Sequence, residues 1–317
     1  MPTAPAVSVV VATHNRADRL QTLLDALAAQ TLAVKRFEVV VVDDGSRDET
    51  PDVLRRAEAR EDLRVRVLTQ PQAGGPAAAR NRGWRAAEAP VIAFTDDDCR
   101  PTPRWLQTLL TAATAREDQV VQGRTEPDPL ECEALGPFAK TLRIDGMTPH
   151  FETCNIAYPR AILETVGGFN EQYPRYGEDS DLGWRVKDTG ATVVFAHDAI
   201  VYHAVFPIGR AGTLKAALIA THDVRCYKEN LGLRQWLVGG VFYKRSHALM
   251  LEAALGLWLA RRAPAAALFA FPYLSNVASR TRMRHGARRD IPFFVLWDAV
   301  ELAATVRGAV RHRLPVI

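Results

Sequence analysis

The stretch Val91-Ile92-Ala93-Phe94-Thr95-Asp96-Asp97-Asp98 passes from an apolar run directly into three consecutive carboxylates. Two unit charges about 4 Å apart repel by roughly 4 kcal/mol at an effective dielectric constant near 20. Three acids at the mouth of a core strand therefore favour a bound cation, and a divalent metal would supply the charge. A solvated acidic cluster at the start of a helix, before Pro101 and Pro103, is the other interpretation. The charge density and the apolar strand favour the metal site.

Short Val-rich runs recur in the N-terminal half of the chain. They are Val7–Val11, Phe37–Val42, Val65–Leu68 and Val91–Thr95. Helical patterns separate them, as where Leu20, Leu23, Leu24 and Leu27 follow the spacing of one helix face. This alternation predicts an α/β fold in which helices cover both faces of a largely parallel sheet.

Polar clusters follow three of the predicted strands, at Thr13–Arg16, Asp43–Ser46 and Asp96–Asp98. Ligands of such sheets bind beyond the carboxyl ends of the strands, so we expect the clusters to converge on one edge. A loop rich in Gly and Pro, Pro71–Pro76, opens an Ala-rich helix that carries Arg80. An acidic pair before Gly-Ser is by itself typical of a turn, but its place at the ligand edge favours a functional role.

The middle of the chain carries weaker signals. Residues 124–150 are rich in Pro and Gly, which predicts a long loop or insertion over the site. The elements expected next are a strand at Glu152–Tyr158, a helix from Pro159, a turn at Gly167–Phe169, a helix over about Glu178–Thr189, and strands at Thr192–Phe195 and Ala199–Tyr202. His203 would follow the last strand directly.

Charge is divided unevenly along the 317 residues, of which 48% are hydrophobic and can bury a large core. Residues 203–317 hold 17 Lys and Arg against 6 Asp and Glu, although the whole chain has a net charge of only +4. The part before residue 203 is therefore acidic. After residue 210 the pattern turns to apolar helices flanked by Arg. We predict two domains, a catalytic domain at residues 1–209 and a basic amphipathic helical region at residues 210–317.

The basic helical region is compatible with an anionic membrane surface, nucleic acid or a solvated face as its environment. Interleaved aromatic side chains, such as Trp258, Phe269 and Phe271, favour the membrane surface. The uncharged block Ala263–Ser279 contains two prolines and is marginal for a membrane-spanning helix. No nucleic-acid motif accompanies the charge, so no nucleic-acid partner is expected. Packing of the aromatic side chains on the protein or in a homodimer stays open.

The last helix has a polar face. Its members are Asp298, Glu301, Thr305 and His312, and most of the large apolar side chains of the helix avoid them. This pattern favours a helix that lies on a surface, with the polar residues facing water.

Four cysteines, Cys99, Cys132, Cys154 and Cys226, are scattered without a Cys-x-x-Cys pair. The pattern fits neither a disulfide framework nor a zinc site and indicates a reducing compartment. The segment Met1–Pro5 has no basic stretch followed by an apolar one, so we expect no export. The expected location is cytoplasmic, with peripheral attachment to the inner face of the cell membrane if the basic region binds lipid.

Six motifs occur together in one order. They are Thr13–Arg16, Asp43–Ser46, Gly74–Arg82, Asp96–Asp98, Gly168–Phe169 and Gly177–Asp179. The ordered set resembles the family 2 inverting glycosyltransferases, and the resemblance extends over about residues 5–210. It implies a GT-A fold, which is a Rossmann-like, mostly parallel sheet flanked by helices. It also implies a nucleotide-sugar donor, usually linked to UDP, and Mn²⁺ or Mg²⁺ as cofactor.

The resemblance implies nucleotide-binding roles for residues that follow the first two strands and for two more near the acidic triplet. The carboxylate that matches Asp44 binds the base. Ala12, Thr13, His14 and Asn15 would line the same pocket. Arg80 would lie near the nucleotide, and Asp96 would face the ribose.

The resemblance also implies the residues that carry the chemistry. Asp98 matches the family's metal ligand, and His203 matches a histidine that completes the metal site in some members. Asp179 matches the general base, a type of group typically worth about 10² to 10⁴ in rate, and Glu178 would orient the acceptor. Without the resemblance, Glu178 and Asp179 also fit the pattern of acids at the start of a helix, where the helix dipole favours negative charge. His203 also fits a hydrogen-bonded histidine at a strand end.

The sequence thus predicts metal-dependent, inverting transfer of one sugar to an acceptor hydroxyl, on a lipid-linked acceptor or a cell-envelope glycan. The Gln-x-x-Arg-Trp signature of processive synthases is missing, since the nearest string is Leu233-Arg234-Gln235-Trp236. Two other functions stay open. A sugar nucleotidyltransferase would be expected to carry a Gly-rich basic loop where this chain has Thr13–Asn15. A non-catalytic nucleotide-binding scaffold is the second.

Overall fold

The computed structural model describes residues 4–173 and 176–317, apart from the side chains of His222 and Asp223. Met1–Thr3, part of the segment behind the expectation of no export, lie outside these residues. The strands are β1 Val7–Thr13, β2 Phe37–Asp43, β3 Val65–Thr69, β4 Val91–Phe94, β5 Cys99–Pro101, β6 Gln119–Pro127, β7 Ala139–Lys140, β8 Ile156–Pro159, β9 Thr192–His203 and β10 Phe206–Pro207. The α-helices are α1 Ala17–Ala28, α2 Thr50–Glu58, α3 Pro76–Ala86, α4 Trp105–Ala113, α5 Arg160–Val166, α6 Glu178–Asp188, α7 Gly209–Ala217, α8 Ala220–Glu229, α9 Arg245–Leu259, α10 Phe271–Met283 and α11 Ile291–His312.

The chain divides into two compact units. Unit 1 comprises the residues up to Leu130 together with Thr141–Ala204, and unit 2 comprises Glu131–Lys140 and Val205–Ile317. Unit 1 contains the large sheet, and unit 2 contains the C-terminal helices α7 to α11. The assignment of residues 1–209 as a catalytic domain and of residues 210–317 as a basic amphipathic helical region stays a prediction.

The sheet of unit 1 has eight strands in the order β3-β2-β1-β4-β8-β6-β9-β5. The four Val-rich strands β3, β2, β1 and β4 pair in parallel, as predicted. Strand β8 is antiparallel to both β4 and β6, and β5 is antiparallel to β9, whereas β6 and β9 are parallel. The carboxyl ends of β1, β2 and β4 therefore lie along one edge of the sheet, where the polar clusters follow them.

Helices cover both faces of this sheet. Gly83 of α3 approaches β1 and β2 so closely that an added Cβ would lie 2.5 Å from Cγ1 of Val10 and 3.2 Å from Cγ2 of Val42. Neighbouring residues of a strand point to opposite faces, and Val9 accordingly belongs to the core on the other side, which includes Leu20 of α1. The predicted α/β architecture with helices on both faces is confirmed.

Three local predictions in the middle of the chain are only partly right. The expected loop at residues 124–150 begins inside β6, because that strand continues to Pro127 in parallel pairing with β9. The expected strand at Glu152–Tyr158 is a 3₁₀ turn at Thr153–Asn155 followed by the short β8. The two strands expected between Thr192 and Tyr202 are the single strand β9, whose register with β6 shifts between Gly123 and Arg124.

Unit 2 has its own apolar core, made by Ala253 of α9, Tyr273 and Val277 of α10 and Phe294 of α11. The apolar block expected at Ala263–Ser279 is not one helix. It divides into a 3₁₀ segment that ends at Ala270 and helix α10, which has proline in its first turn. Within residues 4–173 and 176–317, no helix combines the length and the apolar character that a membrane crossing requires.

Three members of the polar face of α11, Asp298, Glu301 and Thr305, are buried, contrary to the expectation that they face water, whereas His312 is partly exposed. Thr305 is fully buried, and Asp298 and Glu301 are 1% and 7% exposed. Asp298 accepts a hydrogen bond from the Tyr273 hydroxyl at 3.0 Å and forms an ion pair with Arg280. The sequence pattern identified which residues share this face, but the prediction that the face points to water was wrong. Side chains of another helix pair with these polar groups inside unit 2.

Candidate active site

One buried guanidinium joins the acidic triplet to the acids that open α6. Nη2 of Arg80 lies 2.9 Å from Oδ1 of Asp96, and Nη1 lies 2.9 Å from Oε1 of Glu178. The same Nη1 is 3.8 Å from Oδ1 of Asp179. Arg80 is a buried residue of α3. Because α3 packs closely on the sheet, the Arg80 side chain reaches the acids that follow β4. The acids are therefore gathered around a single cation rather than spread into solvent.

Asp179 is held by a second set of contacts. Its Oδ2 accepts hydrogen bonds from the backbone N–H of Thr153 at 3.1 Å and from the Thr153 hydroxyl at 3.0 Å. It lies in the first turn of α6, where the positive end of the helix dipole favours an acid. Its side chain keeps 25% of its surface exposed. Asp179 thus combines a fixed orientation with access from solvent.

Glu178 differs from its neighbour because its side chain is only 4% exposed. Burial and the adjacent charge of Asp179 raise the pKa of Glu178 well above its usual range, although Arg80 opposes the shift. Its Oε2 accepts no hydrogen bond from the described residues. The Glu178 side chain is buried against Arg80. Its role in binding the acceptor stays a prediction.

Strand pairing brings Asp98 and His203 together. Cys99 of β5 is paired with His203 of β9, and the backbone N–H of Ala204 donates to the Asp98 carbonyl at 2.9 Å. Nε2 of His203 consequently lies 3.6 Å from Oδ1 of Asp98. Nδ1 of His203 lies 2.8 Å from the carbonyl oxygen of Ala204, which places the ring proton on Nδ1. Nε2 therefore faces the carboxylate of Asp98.

These two side chains fit a divalent ion. Oδ1 of Asp98 is buried and accepts no hydrogen bond from the described residues, and a cation would satisfy it. A carboxylate oxygen and a neutral imidazole are both donors to Mn²⁺, and Mg²⁺ is commonly bound by one or two carboxylates together with water and phosphate oxygens. In the part of the chain that the structure describes, no three His, Cys, Asp or Glu side chains form a complete metal site. Asp98 and His203 would supply part of a coordination sphere.

Asp97 anchors the triplet to the first strand. Its Oδ2 accepts a hydrogen bond from the Thr13 hydroxyl at 2.8 Å. Burial, with a contribution from the charge of Asp98, raises the pKa of Asp97 to about 7. No individual role was predicted for Asp97, since the three acids are alike in sequence and only the fold distinguishes them.

The ends of β1 and β2 form one connected region. Asp44 accepts hydrogen bonds at Oδ1 from the Gly74 N–H at 2.7 Å and at Oδ2 from the Gly75 N–H at 2.9 Å. Nδ1 of His14 lies 2.8 Å from the carbonyl oxygen of Asp44, and the Asn15 N–H donates to Oγ of Ser46 at 2.8 Å. Asp44 thus ties the loop before α3 to the predicted nucleotide region, which includes Ala12 at the end of β1. Its contact with a base stays a prediction.

A cavity of about 380 Å³ borders this region beside β2 and β3. Its lining includes Asp43, Gly45, Ser46, Thr69 and Gln70. Its volume falls within the usual range of small-molecule sites. The cavity therefore places open space at the carboxyl ends of two parallel strands.

Two site residues were missed by the sequence analysis. Thr153 orients Asp179, but it lies in a segment predicted as a plain strand and carries no motif. Arg16, whose Nη1 is 3.6 Å from Oδ2 of Asp98, was included only as the end of a polar cluster. Its position after β1, at the ligand edge, was the available signal.

The curled, mostly parallel sheet, its flanking helices and the acidic strand ends define a GT-A glycosyltransferase fold. The structure resembles the mannosyltransferase PcManGT from Pyrobaculum calidifontis in complex with GDP-Man and Mn²⁺, with a TM-score of 0.60, 24% identity and coverage of 98% of this chain and 88% of that one. It also resembles S. aureus TarS 1–349 in complex with UDP-GlcNAc, with a TM-score of 0.55, 18% identity and coverage of 97% and 92%. At these identities the likeness shows the fold alone.

The sequence comparisons identify the family. A model described as "Glycosyl transferase family 2" matches residues 8–134. The glycosyltransferase AglE of Haloferax volcanii is 30% identical over 215 residues, which cover 65% of this chain and 69% of that protein. The chain spans only about half the length of other curated relatives that it matches. This chain belongs to glycosyltransferase family 2, as the ordered motifs predicted.

Proposed function

We propose that the protein is an inverting enzyme that transfers one sugar from a nucleotide-sugar to an acceptor hydroxyl with the help of a divalent metal. The observation that carries this proposal is the bridge formed by Arg80 between Asp96 and the acids at the start of α6. Arg80 holds Asp96, which is assigned to nucleotide binding, and Asp179, which is assigned to proton transfer, in one cluster. Such an arrangement suits a single displacement, in which donor and acceptor react directly.

Asp179 is the proposed general base. It accepts the proton of the acceptor hydroxyl while the acceptor oxygen forms a bond to the anomeric carbon. The bond from that carbon to the diphosphate oxygen breaks on the opposite face, and the nucleoside diphosphate keeps the electron pair. The two hydrogen bonds from Thr153 occupy Oδ2, so Oδ1 is the oxygen proposed to receive the proton.

Asp98 and His203 are the residues that would hold Mn²⁺ or Mg²⁺. A bound divalent ion would neutralise charge on the departing diphosphate. Arg16, within 3.6 Å of Asp98, adds a fixed positive charge at the same point. The position of Asp98 is set by strand pairing, so both the carboxylate and the histidine are oriented before substrate binds.

The nucleotide would bind along the ends of β1, β2 and β4, where Ala12–Asn15, Asp44, Arg80 and Asp96 lie. A UDP-sugar is the proposed donor. PcManGT is described with GDP-Man and TarS with UDP-GlcNAc, so a guanosine donor is the alternative to test alongside it.

Unit 2 is the proposed membrane-binding part, on the inner face of the cell membrane. Several large apolar side chains of α9, α10 and the segment between them are exposed, including Trp258 at 57% and Phe271 at 71%. Aromatic side chains close to arginines suit the headgroup region of an anionic bilayer. The acceptor would then be a lipid-linked sugar or a cell-envelope glycan, and a homodimer through the same apolar side chains is the competing proposal.

The decisive experiment measures product formation from UDP-, GDP- and dTDP-sugars with a pooled acceptor set, with and without Mn²⁺, followed by mass spectrometry of the products. The proposal expects one donor to yield a glycosylated acceptor of inverted anomeric configuration, dependent on Mn²⁺ or Mg²⁺. Formation of a nucleotide-sugar from a sugar phosphate would identify a nucleotidyltransferase instead. Donor binding without any product would identify a scaffold.

A further inference from the structure

Unit 2 contains a second cavity, of about 430 Å³, that the proposed sugar transfer does not use. Its walls come from the start of α9, from the second half of α10 and from α11. The lining residues are Lys244, Arg245, Ser246, Asn276, Arg280, Met283, Arg284 and Trp297. The volume is within the usual range for a small-molecule site.

The walls of this cavity carry a net positive charge. Four lining residues are cationic and none is acidic. Two of the cations form ion pairs with carboxylates that do not line the cavity, since Lys244 pairs with Glu301 and Arg280 pairs with Asp298. Arg245 forms no ion pair with a described carboxylate, and Arg284 donates only to two backbone carbonyls. Arg284 also lies over the Trp297 ring, 4.9 Å from its centroid, so two guanidinium groups without a described carboxylate partner remain at the cavity.

The lining also contains polar atoms whose hydrogen-bonding capacity is unused. Oγ of Ser246, Nε of Arg280, Nε1 of Trp297 and Oδ1 of Asn276 are buried and have no hydrogen-bond partner among the described residues. The first three can donate a hydrogen bond, whereas Oδ1 of Asn276 is an acceptor. A buried donor without a partner is unfavourable, so a ligand rich in acceptors would satisfy these donors at several points.

The start of α9 adds to the same preference. Arg245 and Ser246 are the first two residues of this 15-residue helix, so the positive end of its dipole lies at the cavity. Burial and the charge of Arg280 lower the pKa of the Arg284 guanidinium, which indicates that these two cations repel one another. An anion between them would remove that repulsion.

We propose that this cavity is a binding site for a phosphate group, either on a soluble phosphate ester or on a phospholipid headgroup. Phosphate offers several acceptor oxygens to the donors of Ser246 and Trp297 and a negative charge to Arg245 and Arg284. Met283, which is 70% exposed, and the indole of Trp297 give the lining an apolar part. An esterified phosphate with an attached hydrocarbon group would therefore be accommodated.

The first test is isothermal titration calorimetry of the full chain with inorganic phosphate and with sn-glycerol 3-phosphate. Arg245→Gln removes an exposed cation, and Ser246→Ala removes only a hydroxyl, so both variants should fold normally. Each should weaken phosphate binding by about tenfold, since a hydrogen bond to a charged group is lost. Arg262→Gln is the matched control, because it removes the same charge from an exposed position that is not part of the cavity lining.

The second test identifies the source of the phosphate. Flotation with phosphatidylcholine vesicles, with and without phosphatidic acid, is compared for the same variants. Saturable binding of the soluble esters that Ser246→Ala weakens would assign the cavity to a soluble ligand. Binding only to vesicles with phosphatidic acid, weakened by Ser246→Ala but not by Arg262→Gln, would assign it to a headgroup. Equal effects of all three substitutions, or no effect of Ser246→Ala in either test, would refute the site.

Discussion

Nη2 of Arg80 lies 2.9 Å from Oδ1 of Asp96, and the other terminal nitrogen of the same guanidinium lies 2.9 Å from Oε1 of Glu178. Arg80→Ala would leave a buried acid without its cation. We expect the free energy of unfolding to fall by about 3 to 5 kcal/mol, the usual cost of breaking a buried ion pair, and activity to be lost. Urea denaturation followed by fluorescence measures the first effect. Arg85→Ala, an exposed cation of the same helix, is the control and should change stability little.

Asp179→Asn tests the proposed base directly. The Asn side chain can still accept hydrogen bonds from Thr153, so the fold and the affinity for donor should be retained. We expect kcat to fall by about 10² to 10⁴, because the group that accepts the proton is gone. Steady-state kinetics and donor titration make the measurement. Asp188→Asn, at the exposed far end of α6, should behave like the parent protein, and full turnover in Asp179→Asn would exclude the proposed role.

Thr153 is expected to act by orienting Asp179 rather than by touching substrate. Thr153→Val removes the hydroxyl but keeps the shape and the backbone donor. We expect kcat to fall roughly tenfold, with the KM for the donor unchanged, since one hydrogen bond to a charged group is lost. Thr153→Ser restores the hydroxyl and should recover most of kcat. An equal loss in both variants would point to packing instead.

His203→Asn should weaken metal binding. Loss of a nitrogen ligand is expected to raise the Mn²⁺ concentration for half-saturation by at least about tenfold, measured by electron paramagnetic resonance of free Mn²⁺ in the presence of UDP. His197→Asn lies on the exposed part of the same strand and controls for changes in β9. The proposed ligand role fails if the two variants bind Mn²⁺ alike.

Glu301 should contribute a stability that depends on pH. Burial alone would raise the pKa of Glu301, but the ring of His247, whose Nε2 lies 3.4 Å from Oε2 of Glu301, and the charge of Lys244 outweigh it and lower that pKa below its usual 4.5. A lowered pKa in the folded state gives stability that is present above pH 4.5 and is lost as the pH falls through the folded value. Glu301→Gln should therefore flatten the acid limb of a stability profile measured by urea denaturation. Glu252→Gln, exposed on α9, should leave that limb intact.

The parallel half of the sheet could be predicted because its strands are short and Val-rich, and because β1, β2 and β4 are buried on both faces, whereas the edge strand β3 is partly exposed. The acidic ends of those strands were predicted to converge for the same reason, and Asp96–Asp98 and Asp43–Ser46 do lie at one edge. Their positions follow from topology alone. The individual roles proposed for Asp44, Asp98, Glu178 and His203 depend on ligands and stay predictions.

Other features depend on partners distant in sequence, which no local pattern contains. Thr153 contacts a carboxylate 26 residues away. The polar face of α11 resembles that of a surface helix until Tyr273 and Arg280 are placed against Asp298. A helical pattern shows which residues share a face, but the direction of that face is set by the packing of the whole unit.

Gly83 gives the fold a further property. With no side chain between α3 and Val10, the helix axis is as close to the sheet as two backbones and one valine allow. Arg80 is one turn earlier on that helix, and its reach to the acids is therefore determined by the thickness of this contact. A methyl group at Gly83 would meet side-chain carbons of Val10 and Val42, and it would push α3 and the Arg80 guanidinium away from the sheet. The position of Arg80 among the acids thus depends on the absence of a side chain at Gly83.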